Sequence, residues 1–183
     1  MEYSRITKSD LEEIIKLYEK YLNPGEFIQD TIREMFEEEK FVGFQAKDGE
    51  KIVGFFFGKE GIDFTYPHPE LEKDIWSVVG TQKLYTPDGL LVLDEYRNQG
   101  IAGELIRRMK DWLKANGMEI ALVELWIYPD DSVPAREPLM GLGEVIYEKT
   151  IPDFYKDLHK YNVRCPICGE KCTCGALIEL IRL

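Results

Sequence analysis

The sequence predicts a single α/β domain in which a mixed sheet carries helices on its faces. Three observations predict it. Two β-rich runs flank a tight turn in "FVGFQAKDGEKIVGFFFG", residues 41–58. A strand, a helix and a second strand follow one another across residues 90–128, which calls for a parallel, right-handed crossover near the sheet centre. The runs "EVIYEKT" and "ALIELIRL" alternate like the last two strands of a hairpin. At 183 residues and 44% hydrophobic, the chain can bury one sizeable core, so one domain over residues 1–183 is expected.

Each element has its own warrant. Ser9 with Glu12 reads as a capping box ahead of Leu11, Ile14, Ile15, Tyr18 and Leu22, which share one helix face. Asn23, Pro24 and Gly25 end that helix, and a second, Phe27 to Glu39, places Ile28, Ile32, Met35 and Phe36 inward. Lys47 to Glu50 turn the hairpin. Residues 61–87 mix aromatics, prolines and acids and are expected to form a long excursion, either a lid or binding segment or a surface elaboration. Leu90 to Leu93 read as a short buried strand. Ile101 to Ala115 read as a helix with Ile101, Leu105, Ile106, Met109, Trp112 and Leu113 inward, stopped by Asn116 and Gly117. The next strand spans 119–128.

Charge and composition narrow the function. A formal net charge of −11 repels nucleic acid and anionic lipid, so neither is an expected partner, while cationic ligands are mildly favoured. No apolar run reaches the roughly 18 residues of a membrane helix. The start "MEYSRITKSDLEE" lacks the basic and apolar regions of a signal peptide, so a cytoplasmic protein is expected. All four cysteines fall between Cys165 and Cys174, unlike a spread-out disulfide framework.

The turn into the 101–115 helix carries the clearest chemistry. A helix's first turn leaves backbone N–H groups unpaired at the positive end of its dipole. Gly100, Ala102 and Gly103 clear an approach to those donors, and Arg97 or Asn98 can add side-chain donors, an arrangement suited to a phosphate. Neither G-x-x-x-x-G-K-[ST] nor G-x-G-x-x-G is present. The competing reading is a tight turn that needs glycine for its dihedrals.

On these residues the chain resembles the GCN5-related N-acetyltransferase (GNAT) superfamily. That family's acetyl-CoA signature is a strand ending L-x-V, an acidic-aromatic turn and [RQ]-x-x-G-x-[GA] opening a helix. Leu90 and Val92 match the strand, Glu95 and Tyr96 the turn, and Arg97, Gly100 and Ala102 the motif. The resemblance implies the GNAT fold: a mixed sheet of about six to seven strands, splayed at the acetyl-CoA site and flanked by about four helices. It further implies that Leu91, Val92 and Leu93 pair with the pantetheine arm. The N–H groups of Arg97, Asn98, Gln99, Gly100, Ile101, Ala102 and Gly103 would surround the pyrophosphate.

The family often protonates the departing thiolate with a tyrosine in a segment resembling N-x-x-A-x-x-L-Y-x-x-x-G-F. Here "SVPAREPLMGLGE" stands in its place, with Leu139 at the tyrosine, Glu144 at the phenylalanine and Ser132 at the asparagine. Pro134 and Pro138 disfavour a regular helix there. Tyr128 is then the candidate acid, against a rim aromatic. Asp88 and Glu124 are candidate bases, against strand-end charges. His68 is a further base candidate if its loop folds over the cleft, and His159 is either a ligand or surface.

"CPICGEKCTC" spaces Cys165, Cys168, Cys172 and Cys174 as C-x2-C-x3-C-x-C, between the last two strands. "CPICG" resembles a zinc knuckle. Structural Zn²⁺, unligated or redox-active thiols, and an iron–sulfur site all remain open. The expected activity is acetyl transfer from acetyl-CoA to a primary amine: a small molecule, an amino acid, a polyamine or a protein amino group. The alternative is a CoA-binding module of the same fold with impaired turnover and a regulatory or docking role. Zinc-dependent nucleic-acid binding ranks last, because only Lys156, Lys160, Arg164 and Lys171 offer positive charge near the cysteines. Oligomeric state stays open, a homodimer being one expectation.

Overall fold

The structure, a computed structural model, describes residues 1–22, 28–38, 40–62, 64, 68–161, 164–165, 167–169 and 171–183. Strand β1 (Glu2–Arg5) leads into α1 (Leu11–Tyr21) and α2 (Ile28–Glu37), then the hairpin β2 (Phe41–Asp48) and β3 (Lys51–Glu60). Helix α3 (Pro69–Val79), β4 (Leu84–Val92), α4 (Ile101–Ala115) and β5 (Ile120–Ile127) follow. A single turn, α5 (Arg136–Leu139), precedes β6 (Glu144–Ile151) and β7 (Gly175–Arg182). The strands form one sheet in the order β1-β2-β3-β4-β5-β7-β6. Its neighbours are antiparallel except β4 and β5.

That parallel pair opens a gap. β4 and β5 are in register only at Leu84↔Ile120 and Tyr85↔Ala121. Beyond those residues β4 follows β3 as far as Val92, and β5 follows β7 as far as Ile127. The central sheet is thus splayed between the two strands at their C-terminal ends, where ligands bind in open α/β sheets.

Alternation along the strands sorts the helices onto two faces. A Cβ at Gly54 would meet Ile101 and Val92, so that face carries α4, with α5 beside it. A Cβ at Gly89 would meet Phe57 and Tyr18, so the opposite face carries α1. On β5 and β7, Ala121, Val123, Leu125, Leu177 and Ile181 join the main core. Ile120, Leu122, Ala176, Ile178 and Leu180 join a second core with Leu71, Ile75 and Val79 of α3, Phe154, Tyr155 and three cysteines. Leu84 belongs to this second core and lies on the α1 side, so α3 and the β6–β7 connection share the face opposite α4.

Three expectations change. Residues 61–87 are not one long excursion, because they hold α3 and the start of β4. Pro69 begins α3, Leu71, Ile75 and Val79 recur at i+4 spacing, and Gly80 ends it at φ +62. β4 begins at Leu84 rather than Leu90, so "TPDG" lies inside the strand. It forms a bulge, with Phe57↔Gly89 followed by Gly58↔Pro87 and Asp88 as the extra residue. The cap before α1 lies two residues earlier: the Thr7 N–H and Oγ1 donate to Asp10 Oδ2 at 2.8 and 2.6 Å, while Glu12 pairs with Arg33 at 3.0 Å. The helix stop expected at Asn23, Pro24 and Gly25 lies outside the described residues. No described helix is long and apolar enough to cross a membrane.

Candidate active site

Residues 94–100 close the path from β4 into α4 with two residues in the left-handed region, Asn98 (φ 59) and Gly100 (φ 79). Glu104 is the first residue of α4 to donate to a carbonyl, Gly100 O at 3.0 Å. The N–H groups of Ile101, Ala102 and Gly103 therefore have no intrahelical acceptor. A Cβ at Gly100 or Gly103 would meet nothing within 4 Å, so both open onto free space beside those donors. The residues fit a diphosphate at this turn.

Side chains brace the turn rather than line it. Tyr96 Oη donates to Asp48 at 3.0 Å and Lys51 pairs with Glu95 at 2.9 Å, tying it to the β2–β3 turn. Gln99 Nε2 donates to Glu95 O at 3.2 Å. Arg97 folds back to Asp94 at 2.8 Å and to Val92 O at 3.2 Å. Leu93 N–H donates to Val53 O at 2.9 Å. Backbone polarity alternates along an antiparallel strand, so Leu91 also turns toward β3 and Val92 presents its polar groups to the gap. Of Leu91, Val92 and Leu93, Val92 is the one placed to pair with a ligand there.

Across the gap the three catalytic candidates share the face opposite α4. Asp88, exposed on the β4 bulge, accepts from Tyr18 Oη of α1 at 3.1 Å. Glu124, half-buried on β5, accepts from Tyr155 Oη at 2.8 Å. Trp126, two residues on, stacks on Tyr155 with centroids 4.1 Å apart. Tyr128 continues that row, half-buried just beyond β5. Burial raises its phenol above the ordinary tyrosine value, Cys165 and Cys174 push the same way, and Arg97 opposes them. Tyr128 thus stays a proton donor at neutral pH. Beside it lies a cleft of about 270 Å³ lined by Ile127, Tyr128, Asp131, Asp153 and Thr173 among others, with no basic residue in its lining among the described residues. Asp131 (φ 62) and Asp153 (φ 52) hold left-handed backbone, a strained conformation that clusters at functional sites.

The histidines stand apart. His68 stacks on Phe154 at 4.2 Å in the second core, where burial lowers its pKa. His159 is exposed and lies outside the cysteine cluster. Leu139, at the position of the family's tyrosine, is 4% exposed and packs in the main core. The four cysteine sulfurs lie within 4.8 Å of one another.

The sequence reading missed the two tyrosines that hold the carboxylates, Tyr18 and Tyr155. Nothing local marks either, since each contact spans 70 or 31 residues of chain.

A sequence model of the acetyltransferase (GNAT) family matches residues 9–137. This chain belongs to that family, and its class is that of the acetyl-CoA-dependent N-acetyltransferases. Among solved structures, it is similar to Arabidopsis thaliana NAA60 in complex with acetyl-CoA (16% identity, TM-score 0.69, covering 99% of this chain and 97% of that one). It is also similar to the Escherichia coli ribosomal-protein-S18-alanine N-acetyltransferase (14%, 0.62, 99% and 92%). The Enterococcus faecium aminoglycoside 6'-N-acetyltransferase is another (12%, 0.66, 100% and 97%). At these identities the likeness concerns the fold. A search of curated proteins returns no match.

Proposed function

We propose that the protein acetylates the primary amine of a cationic acceptor that enters the cleft beside Tyr128. The observation that carries this is the row Glu124, Trp126, Tyr128 facing Asp88 across the splay, on the side opposite the phosphate turn. Acetyl-CoA lies in the gap with its diphosphate at residues 97–103 and its arm along Val92. The acceptor arrives as an ammonium, which Asp131 and Asp153 attract and which must lose a proton before attack. Glu124, oriented by Tyr155, takes that proton directly or through water, and Asp88, held by Tyr18, is the second carboxylate within the site. The amine lone pair attacks the thioester carbonyl, the C–S bond breaks as Tyr128 protonates the departing thiolate, and the second proton shed by the new amide nitrogen returns through water to the Tyr128 phenolate.

Leu139, buried where the family places its tyrosine, favours a second reading: CoA binding with impaired turnover. Thiol release from acetyl-CoA, screened with spermidine, lysine methyl ester and peptides with free N-termini, separates the two. Amine-dependent release supports transfer. Binding of acetyl-CoA without release for every amine favours the second reading.

A further inference from the structure

We propose that Cys165, Cys168, Cys172 and Cys174 form a closed Zn²⁺ site that straps the β6–β7 connection against the open end of the β4–β5 gap. Four sulfurs about 2.3 Å from a central Zn²⁺ lie about 3.8 Å apart. The Sγ atoms of Cys165 and Cys174 are 3.8 Å apart, and those of Cys168 and Cys174 are 3.6 Å apart. All four lie within 4.8 Å of one another, and Cys165, Cys172 and Cys174 are buried. The backbone supports sulfur as acceptor. Cys168 N–H points at Cys165 Sγ (3.3 Å) and Cys174 N–H at Cys172 Sγ (3.4 Å). Gly169 N–H closes a turn onto Cys165 O at 3.0 Å, with Gly169 at φ +72. These donors stabilise thiolates, and no disulfide joins the four. Four sulfurs fill a tetrahedral shell, so the site is structural and holds no open position for chemistry.

Its placement gives it a second consequence, which rests on the acceptor reading above. Cys174 leads directly into Gly175, which pairs with Ile127 at the end of β5. Cys174 O accepts from Tyr155 N–H at 3.3 Å, and the same tyrosine holds Glu124. Thr173, between two ligands, lines the cleft beside Tyr128. The metal therefore fixes one wall of the cleft and the tyrosine that orients the carboxylate.

Metal analysis of the purified full chain tests this directly. It should carry about one zinc per chain, with thiols that become reactive only on denaturation or chelation. Four reactive thiols and no metal, or iron with inorganic sulfide, would overturn the proposal. Cys168→Ser, at the least buried ligand, should lose the zinc; full zinc retention in that variant would also overturn it. Zinc-depleted wild type should become open to trypsin after Arg164 and Lys171, and added zinc should restore protection. Equal resistance with and without zinc would refute the strap. Calorimetry with acetyl-CoA on the depleted chain serves as the fold control. None of these readouts depends on turnover, so failure of the acetyl-transfer reading would leave them intact.

Discussion

Replacing Gly100 by glutamate separates folding from cosubstrate binding. Gly100 sits at φ +79, where an L side chain costs about 1–2 kcal/mol. Its Cβ meets nothing within 4 Å, so no clash adds to that cost. For a chain of this size the loss lowers Tm by roughly 3–6 °C, and the protein stays folded. Binding suffers more. The carboxylate enters the space beside the free N–H groups of α4 and opposes a diphosphate. Near-contact repulsion in a solvated site amounts to about 1 kcal/mol, and a displaced charge-assisted hydrogen bond to about 2 kcal/mol. Together they weaken acetyl-CoA by on the order of 100-fold. Gly103→Ala is the control. Its backbone is ordinary helix and its Cβ is also unobstructed, so it should raise Tm by a few degrees through helix propensity of about 1 kcal/mol. Calorimetric titration with thermal melts checks both. A folded Gly100→Glu that binds acetyl-CoA like the wild type would refute the placement of the diphosphate.

Further outcomes follow from other contacts. Arg136 pairs with Glu179, which is fully buried, at 2.7 Å, and also with Glu148. Arg136→Leu strands a buried carboxylate and should cost about 3 kcal/mol, and adding Glu179→Leu should recover most of it; equal loss in single and double variants would contradict this. Tyr128→Phe should lower kcat about 100-fold with unchanged acetyl-CoA affinity. Because burial raises the wild-type phenol, the alkaline fall in rate should begin above the usual tyrosine range and should vanish in the variant; an unaltered kcat removes Tyr128 as the acid. For Asp10, burial raises the pKa, but hydrogen bonds from Lys47 and Thr7 outweigh it and hold the group at about 2. Its folded pKa is depressed, so its stabilisation of about 2 kcal/mol is full above about pH 4 and lost as pH falls toward 2. Urea unfolding of Asp10→Asn should show the deficit at pH 7 and little of it near pH 2; the same deficit at both pH values would contradict the assignment.

The sequence was most legible where the signal is local and lies in the backbone. Gly100, Ala102 and Gly103 announce an open helix start because small residues there have few other uses, and the structure leaves both glycines facing free space. The helix 101–115 was legible from end to end because its apolar stripe and its stop are both local signals. β4 was harder. Pro87, Asp88 and Gly89 carry the composition of a turn, yet pairing with β3 absorbs them as a bulge, a tertiary effect that overrides local propensity. α3 was masked by the aromatic and proline-rich residues before it. The carboxylates could be nominated from their strands, but their orientation depends on Tyr18 and Tyr155, partners that only the packed fold brings near.

The most direct test of the account is amine-dependent thiol release from acetyl-CoA by the wild-type chain, with mass spectrometry of the amine product. The account predicts saturable release with a cationic primary amine, one acetylated amine per thiol. Tight acetyl-CoA binding with no release for any amine would contradict it and leave a CoA-binding fold without transfer.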